Sequence, residues 1–266
     1  MNKQNLKEQV KQYWNNASCG TESTNQEKFS KKYFQEIEAF RYKVEPEIHL
    51  FAQFTRYHGK KLLEIGVGAG TDFVQWVRAG TQAYGIDLTQ EAIENTAERL
   101  ALDGLKAQEL RVADAENLPY QDNFFDVVYS WGVIHHSPDM PQCLKEIVRV
   151  VKPGGTIKLM VYNRRSLFAF YRYLLAGLFR GKPFQRISTV LFNHQESMGT
   201  KAYTRREIKN MLSCYRVKIK RIQATVTQHD LLYYKSRPMR WCAYLVACLC
   251  GWNSVGWFMT IDLEKK

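Results

Sequence analysis

The spacing of hydrophobic positions changes repeatedly between residues 60 and 162. Five short runs are almost continuously apolar or β-branched: "KKLLEI" (60–65, then the Gly turn), "AYGID" (83–87), "ELRVAD" (109–114), "FFDVVYSW" (124–131) and "TIKLMVY" (156–162). Between them, apolar residues three and four apart predict helices over 71–79, 89–102 and 140–150. Helix starts fall at Thr71, at Thr89 with Glu91 in its first turn, and at Asp139, while "KPGG" (152–155) separates the last helix from the fifth strand. Such alternation predicts a parallel sheet with helices on both faces. It lapses for about 40 residues after Tyr162, then resumes with a helix from Thr204 and strands near 216–226 and 255–263.

One apolar stretch departs from this pattern. Residues 241–261, "WCAYLVACLCGWNSVGWFMTI", are uncharged over a length that can span a bilayer. Gly251, Asn253, Ser254 and Gly256 interrupt it, so the expectation is a buried helix, a turn and a buried strand. A 266-residue chain with 45% hydrophobic and 24% charged residues suits one large globular domain. Its six cysteines (Cys19, Cys143, Cys214, Cys242, Cys248, Cys250) have neither disulfide-framework nor metal-ligand spacing, and no metal site is expected. "MNKQNLKEQVKQYW" has no apolar segment after its charges, so a cytoplasmic location is expected.

The net charge of +12 is unevenly spread. Residues 1–160 carry 19 Lys and Arg against 21 Asp and Glu, whereas residues 161–266 carry 19 against 5. The basic half suggests an anionic partner, with a solvated basic face as the alternative.

The turn after the first strand carries the first chemical signal. Glycines at 66, 68 and 70 follow Glu64, and Thr71 stands where a dinucleotide fingerprint would have its third glycine. A carboxylate beside the turn would repel a pyrophosphate but suits a ligand carrying an ammonium group. S-adenosylmethionine has an amino acid tail in place of the phosphates. Asp87, ending the second strand, can accept ribose hydroxyls, and Asp114, ending the third, can accept the adenine amino group.

"LLEIGVGAGTD", "YGIDLT", "RVADAENLPYQDNFFDVVYSWGVIHH" and "VRVVKPGGTIKLMVY" resemble, in order and spacing, the motifs of class I S-adenosylmethionine-dependent methyltransferases. The resemblance covers about residues 55–162. It implies an α/β Rossmann-like fold with a seven-stranded sheet, order 3-2-1-4-5-7-6, and an antiparallel last strand. It implies a single domain: a helical N-terminal cap (1–55), a cofactor core (56–162), an acceptor lid (163–203) and a C-terminal completion of the sheet (204–266). Cofactor contacts are expected from Glu64, Gly66, Gly68, Gly70, Thr71, Asp87, Leu88, Asp114, Ala115 and Trp131, with Tyr13 and Trp14 offering aromatic faces to the sulfonium. The product would be S-adenosylhomocysteine. "WGVIHH" stands where adenine-methylating relatives carry an NPPY-like tetrapeptide, so no DNA substrate is expected.

"VKQYWNNASCGT", "KFSKKYFQEIEAFRYKVEPEI" and "NHQESMGTKAYT" are similar to a bacterial subgroup that includes methyltransferases of lanthipeptide C-terminal carboxylates. The acceptor expected from this resemblance and the basic half is a peptide or small-molecule carboxylate. Arg164 would hold it in line, with His135 and His194 as further catalytic candidates and Arg41, Tyr42, Tyr162, Arg165, Lys201 and Tyr203 as acceptor contacts. Arg205 and Arg206 belong to the same basic surroundings. A carboxylate needs positioning only, whereas a phenol, quinone or lipid-like acceptor needs a base, for which His135 or His136 is available. The His pair also has a structural or cofactor-shaping reading. The aromatic insertion "SLFAFYRYLLAGLFRGKPF" (166–184) reads as a lid, with an interfacial membrane helix as the less favoured alternative. A non-catalytic, RNA-associated cofactor-binding module is the remaining alternative.

Overall fold

The computed structural model describes residues 2–16, 18, 20–233 and 235–266; Cys19 lies outside the described residues. Three helices, α1 (Lys3–Asn16), α2 (Lys31–Val44) and α3 (Glu47–Ala52), precede the sheet. Strands and helices then alternate as β1 (Lys61–Ile65), α4 (Thr71–Arg78), β2 (Gln82–Asp87), α5 (Gln90–Leu102), β3 (Glu109–Val112), β4 (Phe125–Trp131), α6 (Met140–Val150) and β5 (Val151–Asn163). The insertion forms α7 (Leu167–Ala176) and α8 (Ile187–His194). It is followed by β6 (Ala202–Tyr203), α9 (Arg205–Leu212), β7 (Val217–Thr225), α10 (Arg237–Cys250) and β8 (Phe258–Lys265).

Among the described residues the sheet has eight strands rather than seven. Its main path runs β3-β2-β1-β4-β5-β8-β7, and the two-residue β6 pairs with β5 off that path. β8 runs antiparallel to both β5 and β7, while the pairs among β1 to β5 are parallel. β6 escapes a sequence reading because two residues give no periodicity.

Successive strand residues point to opposite faces, and this divides the core. Leu62, Val127, Tyr129 and Phe258 pack with Phe73 and Trp76 of α4, whereas Leu63, Val128 and Met259 pack with Leu144 and Ile147 of α6 and Ile208 of α9. Thr89 and Asp139 cap α5 and α6 by accepting from Ala92 N and Gln142 N. Gly70, not Thr71, occupies the cap of α4, in the left-handed region. β5 begins directly after α6 and runs through "KPGG", which does not separate the two elements.

The expectation of a buried helix near residue 241 is wrong. α10 buries Ala247 alone, and Trp241, Tyr244, Leu245 and Leu249 are exposed. No helix among the described residues is long and apolar enough to cross a membrane.

Candidate active site

A cavity of about 490 Å³ opens at the carboxyl ends of β1, β2, β4 and β5, the edge where ligands bind in sheets of this kind. The turn after β1 forms its floor. Gly66, Gly68 and Gly70 all have positive φ, and a Cβ on Gly66 would lie 2.2 Å from Val133 Cγ2. No L side chain fits that position, so bare backbone faces the cavity. Gly70 does not line the cavity; it lets the start of α4 pack on Thr96 of α5.

Glu64 lies within the floor. It is buried, Oε2 has no hydrogen-bond partner, and burial followed by the nearby Asp72 raises its pKa well above the ordinary 4.5. Asp72 itself is satisfied. It accepts Arg41 Nε and Nη2 at 3.2 and 2.9 Å, Tyr129 Oη at 3.0 Å and Tyr42 Oη at 3.2 Å. Arg41 and Tyr42 of α2 therefore clamp the N-terminal cap onto α4 through Asp72. The unpartnered Oε2 of Glu64 is left for a cationic ligand.

The carboxylates at the end of β2 and just beyond β3 also reach the wall. Asp87 accepts from Gly68 N at 3.2 Å and from Thr89 N and Oγ1 at 3.0 and 2.9 Å. Asp114 accepts from Glu116 N at 2.9 Å and pairs with Lys7 Nζ at 2.6 Å. Lys7 also pairs with Glu116, so α1 is fastened across this end of the cavity. Trp14, four residues from the wall residue Val10, lines the cavity and packs edge-on against His136 at 5.4 Å. Trp131 Nε1 donates to Glu45 Oε2 at 2.7 Å, which fixes the indole at the end of β4.

The opposite half is apolar and aromatic around a small polar group. Met160, Phe168, Trp257 and Phe258 line it. Tyr162 stacks on Trp257 with centroids 4.1 Å apart and donates its hydroxyl to Glu196 Oε1 at 2.8 Å. His136 Nε2 lies 3.4 Å from Glu196 Oε2, and its Nδ1 lies 2.9 Å from Ser197 Oγ. Burial alone would push the Glu196 carboxyl up, but the opposing effects of His136, Tyr162 and Gln195 leave its pKa below the ordinary value. His229 completes this half, its pKa lowered by burial.

Residues 63–159 match the family model described as "Methyltransferase domain". The match takes in the glycine turn, Asp87 and Asp114 and ends within β5. An uncharacterised protein of Mycobacterium tuberculosis is 32% identical over 110 residues, 41% of this chain and 40% of that protein. Norajmaline N-methyltransferase of Rauvolfia serpentina is 34% identical over 110 residues, 41% of this chain and 38% of that enzyme. The chain thus spans about two fifths of the length of these curated relatives. The crystal structure of geranyl diphosphate C-methyltransferase from Streptomyces coelicolor A3(2) superposes with a TM-score of 0.65 at 16% identity, covering 98% of each chain, a likeness of fold.

The methyltransferase cofactor is S-adenosylmethionine, and the residues present fit it. The bare glycine backbone, Glu64 with its unpartnered Oε2, Asp87 and Asp114 stand around one space, with Thr71, Leu88, Ala115, Trp131 and Trp14 on its walls. Tyr13 does not line the cavity: it is 45% exposed and packs edge-on against Trp14.

The expected acceptor residues are mostly elsewhere. Arg164 turns from the cavity to Glu207, with Nη2–Oε1 at 2.5 Å, because the Thr204 capping box places Glu207 beside it. Arg165 and His194 are exposed, and Arg172 donates to the His194 carbonyl. Lys201 donates to the Ser137 carbonyl at 2.6 Å, and Tyr203 pairs in β6 and packs against the α6 side of the core. Tyr42 is spent on Asp72. Arg41 and Tyr162 alone of the expected acceptor contacts line the cavity. His135 is fully buried beneath Tyr162, with ring centroids 4.0 Å apart, and both its ring nitrogens lack partners. Burial holds its pKa well below 6.5, and the neutral ring packs under Tyr162 without lining the cavity. Sequence reasoning did not single out Glu45, Glu196 and His229, which line the cavity. Glu196 sits inside the quoted "NHQESMGTKAYT", two residues beyond the histidine singled out there.

Proposed function

We propose that the chain is an S-adenosylmethionine-dependent methyltransferase whose acceptor is an apolar small molecule, a phenol, quinone or lipid-like compound methylated on oxygen or carbon. The observation that carries this reading is the acceptor half of the cavity: aromatic walls around Glu196, His136 and Tyr162. The two cations on the cavity wall, Lys7 and Arg41, are already engaged by Asp114, Glu116 and Asp72. A carboxylate acceptor, suggested by the basic half and the lanthipeptide resemblance, would meet Glu45 and Glu196 there and no matching arginine among the described residues. It is the weaker reading.

S-adenosylmethionine supplies an electrophilic methyl group on a sulfonium. The chain's own residues do the rest. Glu64 would hold the ammonium, Asp87 the ribose hydroxyls, and Asp114 the adenine amino group. Trp14, Trp131 and the α1 clamp exclude water from that end. Phe168, Trp257 and Phe258 position an apolar acceptor against the reacting end. Glu196, ionised at neutral pH, is placed to accept the acceptor's proton, with the Tyr162 hydroxyl within hydrogen-bond distance of both its oxygens and His136 beside it.

The test is a mass-spectrometric screen for a 14 Da gain, the mass of one added methylene, against phenols, quinones, prenyl lipids, amines and acidic peptides. Methylation of neutral apolar acceptors is expected. Methylation confined to acidic peptides would overturn the reading.

A further inference from the structure

A helix apolar on every side is normally buried, because water around apolar surface is unfavourable. α10, uncharged from Trp241 to Cys250, departs from that rule. Leu249 is 87% exposed, Trp241 67%, and Leu245 49%. The insertion behaves likewise: Phe184 is 98% exposed and Phe179 73%.

The two segments border one another. Lys235, just before α10, lies over the Tyr171 ring of α7 at 5.9 Å, and Leu167 N at the start of α7 donates to the Val255 carbonyl beyond α10 at 3.0 Å. Phe168 and Trp257, from these same stretches, line the cavity with ring centroids 5.0 Å apart. The exposed apolar surface therefore begins where the aromatic wall of the cavity ends.

Charge selects what covers it. Residues 165–195 carry five Lys or Arg and residues 231–261 carry three, and neither stretch contains an Asp or Glu. Much of the basic excess of the C-terminal half is thus interleaved with exposed Trp, Leu and Phe. A second copy of the chain set face to face would bring like charges together, and an RNA would leave the aliphatic side chains without a partner. Side chains that enter an acyl layer beside cations that meet anionic headgroups are what an interfacial helix requires.

We propose that α10 and the α7 insertion form a docking face for an anionic lipid bilayer. The helix lies in the interface and does not cross it. Docking would set the aromatic end of the cavity toward a reservoir of apolar molecules; the surface itself stands independently of the apolar-acceptor reading.

The experiment is sedimentation of the full chain with vesicles of phosphatidylcholine alone and of equal parts phosphatidylcholine and phosphatidylglycerol. It compares the wild type with the double substitution Trp241→Glu and Leu249→Glu, and with Arg237→Glu and Arg240→Glu. Binding to the phosphatidylglycerol vesicles is expected, about tenfold or more weaker without the anionic lipid and weakened by salt. Each double substitution should lower it by about tenfold or more while S-adenosylhomocysteine affinity, read by calorimetry, stays unchanged. No binding to the anionic vesicles, or equal binding by the variants, overturns the proposal. So does a dimer in sedimentation velocity that the Trp241 and Leu249 substitutions dissociate without any vesicle binding, because the occupant is then a second copy. Loss of methyl transfer with binding intact would count against the apolar-acceptor reading and leave the docking face standing.

Discussion

Replacing Glu64 by Gln should move cofactor affinity and cofactor-free stability in opposite directions. The carboxyl is buried at the end of β1, its Oε2 has no partner, and burial with the nearby Asp72 charge raises its pKa well above 4.5. A ligand ammonium removes that penalty by supplying the missing charge and hydrogen bond. Hydrogen bonds to charged groups contribute about 2 kcal/mol, which is about thirtyfold in Kd. Titration calorimetry with S-adenosylhomocysteine should therefore show about ten- to a hundredfold weaker binding to the variant. Wild-type binding should release a proton as Glu64 ionises, seen as a dependence of the heat on buffer, and Glu64→Gln should lose it. Affinity should fall as pH drops through the raised pKa of Glu64. Stability of the cofactor-free chain follows the other sign. A folded carboxyl with a raised pKa contributes fully below the unfolded value and loses that contribution as pH rises through the folded value. Glu64→Gln should accordingly raise the cofactor-free Tm near pH 8, by about 1–3 kcal/mol in stability, and change it little near pH 4. Binding within twofold of wild type, or a variant destabilised at pH 8, would refute an ammonium-holding role.

Three further outcomes follow from the same geometry. Glu196→Gln should lower kcat by about a hundredfold or more with KM little changed; because the Glu196 pKa lies below the ordinary value, the wild-type kcat at saturating cofactor should hold on acidification until the pH is below the ordinary carboxylate range. Arg164→Ala should leave methyl transfer within about twofold and cost about 0–1 kcal/mol in denaturant titrations, since it removes a partly exposed ion pair with Glu207. Gly66→Ala should destabilise the chain by about 2–3 kcal/mol and abolish detectable cofactor binding, because it puts a Cβ into Val133 at a φ of +83°, whereas Gly181→Ala, on the surface with open space around it, should cost about 1 kcal/mol and spare binding.

The cofactor half was legible because its chemistry is local to single turns. The glycines, Glu64 before them, and Asp87 and Asp114 at strand ends each follow from a few neighbouring residues, and parallel strands bring such ends together without further information. The acceptor half depends on long-range choices. Arg164 had two possible partners, an acceptor or Glu207, and the capping box at Thr204 decided for Glu207. Glu196 enters the cavity through packing of a non-repeating segment, in which no period marks an inward position. His135 and His136 are adjacent and chemically alike, yet one is sealed under Tyr162 and the other opens onto the cavity. α10 misled for a different reason: hydropathy measures a preference for leaving water, and the fold supplies no internal surface for that helix to meet.

Transfer of a labelled methyl group from S-adenosylmethionine by the purified chain, with products partitioned between an organic extract and an acidic-peptide fraction, bears most directly on the proposed reaction. Label should enter neutral apolar acceptors in the organic extract and fall by about a hundredfold with Glu196→Gln. Label confined to acidic peptides, undiminished in Glu196→Gln and lost in Arg164→Ala, would contradict it.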